Sequence, residues 1–197
     1  LAAIRADGGG LRELVHGRAN ASEPVWAPDG RTIAFGGTRG SYLLELSPAF
    51  EPGATRDLPL PSADATYYPS SFSPDGSLVA GGVRRAGANA GTAIYSLRDG
   101  TWRIVESEAA GFKVRLLDDT GRFVADTHEA IVAVDRPGER PRVLVRAAAG
   151  HSFRNLSISH DRRWLAWIDE TDESDVWLMT LDDVPHGGAE HGRKASR

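Results

Sequence analysis

Four nine-residue stretches of the chain align without gaps. They are Trp26-Ala-Pro-Asp-Gly-Arg-Thr-Ile-Ala34, Phe72-Ser-Pro-Asp-Gly-Ser-Leu-Val-Ala80, Leu117-Asp-Asp-Thr-Gly-Arg-Phe-Val-Ala125 and Ile158-Ser-His-Asp-Arg-Arg-Trp-Leu-Ala166. Their starts lie 46, 45 and 41 residues apart. Repeats of about 40–50 residues without helical periodicity indicate blades of four strands. In the first stretch Pro28 presets φ for a turn, Asp29 suits the next position, and Gly30 takes the left-handed one that follows. Each stretch therefore reads as strand, tight turn, strand. The apolar residues on either side alternate toward faces that neighbouring blades would cover.

Working outward, Ser41–Leu46, Thr92–Leu97, Ala130–Val134 and Asp175–Leu181 read as third strands. Outer strands are predicted at Thr101–Val105 and Arg142–Arg146, with the first unit's near Arg56–Leu60. Val83–Gly91 reads as a long hairpin loop. The repeats decay along the chain: the third loses its Pro, and the fourth has Arg162 in place of Gly. Two readings of Arg162 stay open, a left-handed residue or a turn of another type.

Composition narrows the function. The chain has 197 residues, no Cys and a net charge of −4. That excludes disulfide frameworks, zinc fingers and cysteine nucleophiles, and argues against a nucleic-acid module, which needs a basic face. No apolar run approaches the ~20 residues of a membrane-spanning helix. The chain opens on Leu1 and its lone Met is Met179, which reads as a segment of a longer chain.

Glu23-Pro-Val-Trp-Ala-Pro-Asp-Gly-Arg-Thr-Ile-Ala-Phe35 and Pro69-Ser-Ser-Phe-Ser-Pro-Asp-Gly76 resemble the Trp-Ser-Pro-Asp-Gly repeat of TolB-like, WD40-like bacterial β-propellers. Ile4-Arg-Ala-Asp-Gly-Gly-Gly-Leu-Arg-Glu-Leu14 resembles the hairpin that joins third and outer strands in the same repeats. The resemblance covers about residues 3–181. It implies an all-β fold of four-stranded antiparallel blades: a partial, open propeller of about four blades plus an N-terminal leftover hairpin. The organisation expected is a partial propeller over 1–183, with a hairpin at 1–15 and repeats at about 22–62, 67–107, 112–147 and 153–182. Residues 184–197 read as a disordered tail, and further blades are expected upstream of residue 1.

Each candidate site in the chain also has a plain structural reading. No Gly-x-Ser-x-Gly elbow is present, and His151-Ser152 reads as a loop before an inner strand. The acidic run Asp169–Asp175 lacks the Gly of a calcium loop and reads as a hairpin tip. His186 and His191 lack companions for a metal, so neither cofactor nor metal is implied. Trp26, Trp164 and Trp177 fall at core-compatible positions, and Trp102 on an outer strand caps an edge or meets a partner. Tyr67 and Tyr68 read as preceding the second inner strand, with Glu23, Lys113, Arg115, Arg154 and Asn155 at the equivalent places of the other repeats. In a propeller such positions ring one mouth of the central channel, the usual binding surface. The resemblance thus implies a non-catalytic scaffold for a protein or peptide partner, in a periplasmic or otherwise extracytoplasmic bacterial setting. The alternatives are an accessory propeller of a prolyl-oligopeptidase-type peptidase and a sensor propeller on a bacterial Ser/Thr kinase.

Overall fold

The computed structural model describes residues 1–171 apart from 18–19, 39, 106–112 and 137. The third strand expected at Asp175–Leu181, Trp177 and the tail at 184–197 lie outside the described residues.

The described strands form a hairpin and four sheets in chain order. The hairpin pairs β1 (Ala2–Ala3) with β2 (Arg12–Glu13). The first blade holds β3 (Ser22–Trp26), β4 (Thr32–Gly37), β5 (Gly40–Leu46) and β6 (Pro52–Leu58). The second holds β7 (Ala65–Phe72), β8 (Leu78–Arg85), β9 (Ala88–Ser96) and β10 (Trp102–Val105). The third holds β11 (Val114–Leu116), β12 (Phe123–Thr127), β13 (Ala130–Val134) and β14 (Arg142–Arg146). The fourth is described as a pair, β15 (His151–Ile158) and β16 (Leu165–Thr171). Every neighbouring pair is antiparallel and consecutive in sequence, the up-and-down order of propeller blades.

Strand alternation builds the stack. Ile33 and Phe35 of β4 pack toward the hairpin, on Leu14 and Val15, while Ala34 between them packs toward the second blade. Val79 of β8 faces the first blade, and its neighbours Leu78 and Ala80 face the third. Phe123 and Ala125 face the second blade, and Val124 between them meets Phe153 and Leu156 of the fourth. Each blade therefore shows one set of alternate residues to each neighbour. The core is a series of slabs between sheets. Burying each large aliphatic or aromatic side chain there contributes about 1.5–3 kcal/mol before entropy is counted.

The aligned turns behave as their residues dictate. Gly30, Gly76 and Gly121 have φ of 66°, 74° and 96°, and Arg162 has 58°. The fourth turn thus keeps its left-handed shape without Gly. The Arg162 side chain meanwhile donates to the Leu116 carbonyl of the neighbouring blade.

Several expectations need correction. Val83–Gly91 is not a long loop, because β8 and β9 run on to a two-residue turn at Ala86-Gly87. Both turn residues have positive φ (48° and 80°), the twist that suits a tight hairpin. The outer strand of the first blade starts at Pro52 rather than near Arg56, and it ends before Pro59. His151-Ser152 opens β15 instead of forming a loop. Asp169 and Glu170 lie within β16, not at a hairpin tip. There they pair with His151 and Arg154 across the two strands. Trp26 and Trp164 are 44% and 71% exposed rather than core: Trp26 borders the short two-stranded hairpin, and Trp164 directly precedes β16 of the last described sheet.

Candidate functional site

The first strand of each blade is an edge strand of its sheet, and these edges face the inner wall; β15 makes one backbone bond there, Phe153 N–H to the His128 carbonyl of the third blade at 2.8 Å. Bulges set their character. β3, β7 and β15 each break register near the middle, between Ser22 and Val25, Pro69 and Ser71, and Arg154 and Ser157. A bulge re-aims consecutive side chains. In β7 this turns both Ser70 and Ser71 toward β11. The Ser70 hydroxyl lies 3.1 Å from both the N–H and the carbonyl of Val114, and Ser71 accepts from the N–H of Leu116 at 3.0 Å. The buried Asp126 does the same between the third and fourth blades. Its carboxylate accepts from the N–H groups of Lys113 (3.0 Å) and Leu156 (3.3 Å). Side chains of one blade thus satisfy the free strand edge of another, as buried backbone groups require.

Along this wall runs an open groove of about 660 Å³, within the ordinary range of ligand sites. Glu23, Pro24 and Trp26 of β3 line one side, with Pro69 and Ser70 of β7 beside them. Lys113 and Arg115 come from the third blade, and His160 and Arg162 from the turn of the fourth. Lys113 Nζ stands 2.8 Å from Glu23 Oε1, so an ion pair spans from the third blade to the first. Arg115 Nη1 donates to the carbonyls of Ser70 (2.7 Å) and Val114 (2.9 Å). Burial pushes the Arg115 guanidinium's pKa down, while Asp126 and Glu23 oppose that shift. A guanidinium stays a cation through such a change. Among the described residues, no three His, Asp or Glu side chains gather as a metal site.

The candidate residues divide. Glu23, Lys113 and Arg115 meet in the groove. Tyr67 does not: it is fully buried between the first two blades, and its hydroxyl donates to the Val79 carbonyl at 3.0 Å. Its ring packs edge-on against Trp102, with centroids 4.9 Å apart, so Trp102 belongs to that slab. Burial pushes the Tyr67 pKa well up. Tyr68 is half-buried and lies against Gly36 of the first blade, outside the groove lining. Arg154 is paired with Glu170 on β16, and Asn155 sits in the β15 bulge at φ 56°; neither lines the groove. Sequence reasoning missed Ser70, His160 and Arg162. For the last two a signal existed, since they occupy the Pro28 and Gly30 positions of the repeat. The fourth turn departs from the consensus by bringing two basic residues to the wall.

No family model matches the chain, and no curated protein matches it. Solved structures do. TolB from Acinetobacter baumannii superimposes with a TM-score of 0.64 at 19% identity, over 92% of this chain and 46% of that one. An oligogalacturonate lyase in complex with manganese gives 0.65 at 13% identity, over 88% of this chain and 53% of that one. A prolyl endopeptidase gives 0.54 at 16% identity, over 80% of this chain and 26% of that one. The chain spans about half the length of the first two. The fold is that of a TolB-like β-propeller, present here as part of one.

Proposed function

We propose that this TolB-like propeller segment is a non-catalytic scaffold that binds a protein or peptide partner along its inner wall. The observation behind this reading is the groove at Glu23, Lys113 and Arg115. It is built from several blades at once and held by hydrogen bonds between them. A rigid frame with polar side chains converging on a groove is what recognition requires. The boundaries of 1–183 for the propeller and an extracytoplasmic setting belong to the same reading. Selection from a peptide-display library tests it. Binders are expected that lose affinity when Arg115 is replaced by Gln. Recovery of no binder, or of binders indifferent to Lys113 and Arg115, overturns it.

A second reading has one observation in its favour, the likeness to a prolyl endopeptidase. In it the segment is the accessory propeller of a peptidase. A Gly-x-Ser-x-Gly domain in the same open reading frame would establish that reading.

A further inference from the structure

We infer that the groove takes a carboxylate-rich segment of its partner, and that Glu23 stands in for that segment while the groove is empty. This rests on the reading of the inner wall as the binding surface. Among the described lining residues Glu23 is the single acid, set against Lys113, Arg115, Arg162 and His160. Lys113 and Arg115 come from the third blade and Arg162 from the fourth, so no single loop carries the three. Lys113, Arg115 and Arg162 are half-buried. Partial loss of water strengthens their attraction for an anion.

Arg115 has a built setting. Two backbone carbonyls fix its Nη1, and Asp126 contributes negative charge nearby while its own oxygens accept from backbone N–H groups. A guanidinium carries five N–H donors, more than these two bonds use, and its planar fork fits a carboxylate. Glu23 already shows what such a ligand would do. Its carboxylate reaches across from the first blade to Lys113 at 2.8 Å. It does so from a left-handed backbone, φ 52°, inside the β3 bulge, a conformation uncommon for a residue other than Gly. A partner's carboxylate arriving at Lys113 would displace Glu23 into water, where its side chain is already 45% exposed. The net charge of −4 disfavours a long polyanion such as nucleic acid and leaves a short acidic run as the ligand that suits a local basic groove.

The test is isothermal titration of the chain with a Glu-rich peptide, a Lys-rich peptide of the same length and a single-stranded oligonucleotide. The Glu-rich peptide is expected to bind, and to weaken as salt is raised. Lys113→Gln and Arg115→Gln should each weaken it about tenfold, and Glu23→Gln should tighten it about threefold, because the internal competitor is gone. Lys113→Gln, which removes a single ion pair to an exposed carboxylate, keeps the test open if Arg115→Gln fails to fold. Equal or tighter binding of the Lys-rich peptide or the oligonucleotide overturns the inference, as does a Glu23→Gln variant that binds no more tightly. If display-selected neutral peptides bind the groove while the Glu-rich peptide does not, this inference fails and the scaffold reading survives. If nothing binds the groove, both fail.

Discussion

Arg162 shows how one residue carries both a local cost and a distant contact. Its φ of 58° is strained for any side chain with a Cβ, while its guanidinium bonds to the Leu116 carbonyl of the next blade. Arg162→Ala keeps the strain and loses the bond, whereas Arg162→Gly loses both. The Ala variant should therefore be less stable than the Gly variant by about 1 kcal/mol. Urea midpoints of the two would show it, and the reverse order would refute the account of this turn. Gly81 is constrained differently. It faces the β7 bulge, and a Cβ there would stand 2.0 Å from the Tyr68 carbonyl oxygen and 2.9 Å from Pro69 Cα. Gly81→Ala must push two strands apart and should lower stability by about 3 kcal/mol, again read from the urea midpoint. The turn carboxylates give a third lesson. In the second and fourth turns a Ser at the second position donates to an Asp at the fourth, as in Ser73 to Asp75 (2.7 Å) and Ser159 to Asp161 (2.5 Å). In the third turn the partners exchange places, and Thr120 donates to Asp118 at 2.7 Å. The degraded repeat keeps the interaction with its two ends swapped.

At the scale of the element, these turns link pH to stability. The N–H of Ser77, then the hydroxyls of Ser73 and Ser77, hold the Asp75 carboxyl well below the usual carboxylate range. Asp29 is also lowered: slight burial raises it, but bonds from Arg31 and Thr32 outweigh that. A depressed folded pKa stabilises above the unfolded value of about 3.9, and that stability is lost as pH falls below it. Asp75→Asn should lower the urea midpoint at pH 6 and flatten its fall between pH 4 and pH 2. An unchanged acid limb would contradict the role given to the turn. Tyr67 acts at the other end. Its pKa is raised by burial, so its contribution is complete below about pH 10 and is lost as pH rises further. Tyr67→Phe should cost about 1–2 kcal/mol at pH 7, since the Val79 carbonyl loses its donor. It should also remove part of the alkaline destabilisation expected above pH 10. The placement of Tyr67 was legible in principle. Tyr67 aligns with the apolar Phe153, each five residues before the apolar residue that ends its strand, which marks an inward position. The bulges were not legible. Nothing in Pro69-Ser-Ser-Phe72 announces that both serines turn to the next blade, because a bulge answers to what its strand must meet.

At the scale of the molecule, the turn motif and apolar alternation were enough to place all four sheets in order, since the buried slabs form between consecutive blades. The groove was only half visible. Its charge comes from residues that alignment marks as exceptions, and its assembly depends on contacts between blades. The stack should be unevenly stable. Amides of β8, β9, β12 and β13 lie between buried slabs and should exchange slowest, whereas β14, exposed along its whole length, should exchange fastest among the strands of the third blade. The most direct test of the central claim is the same hydrogen-exchange experiment with and without a saturating Glu-rich peptide. The account predicts added protection at β3, β7 and β11 and at the turn holding Arg162. Protection confined to the outer strands β6, β10 and β14 would contradict it.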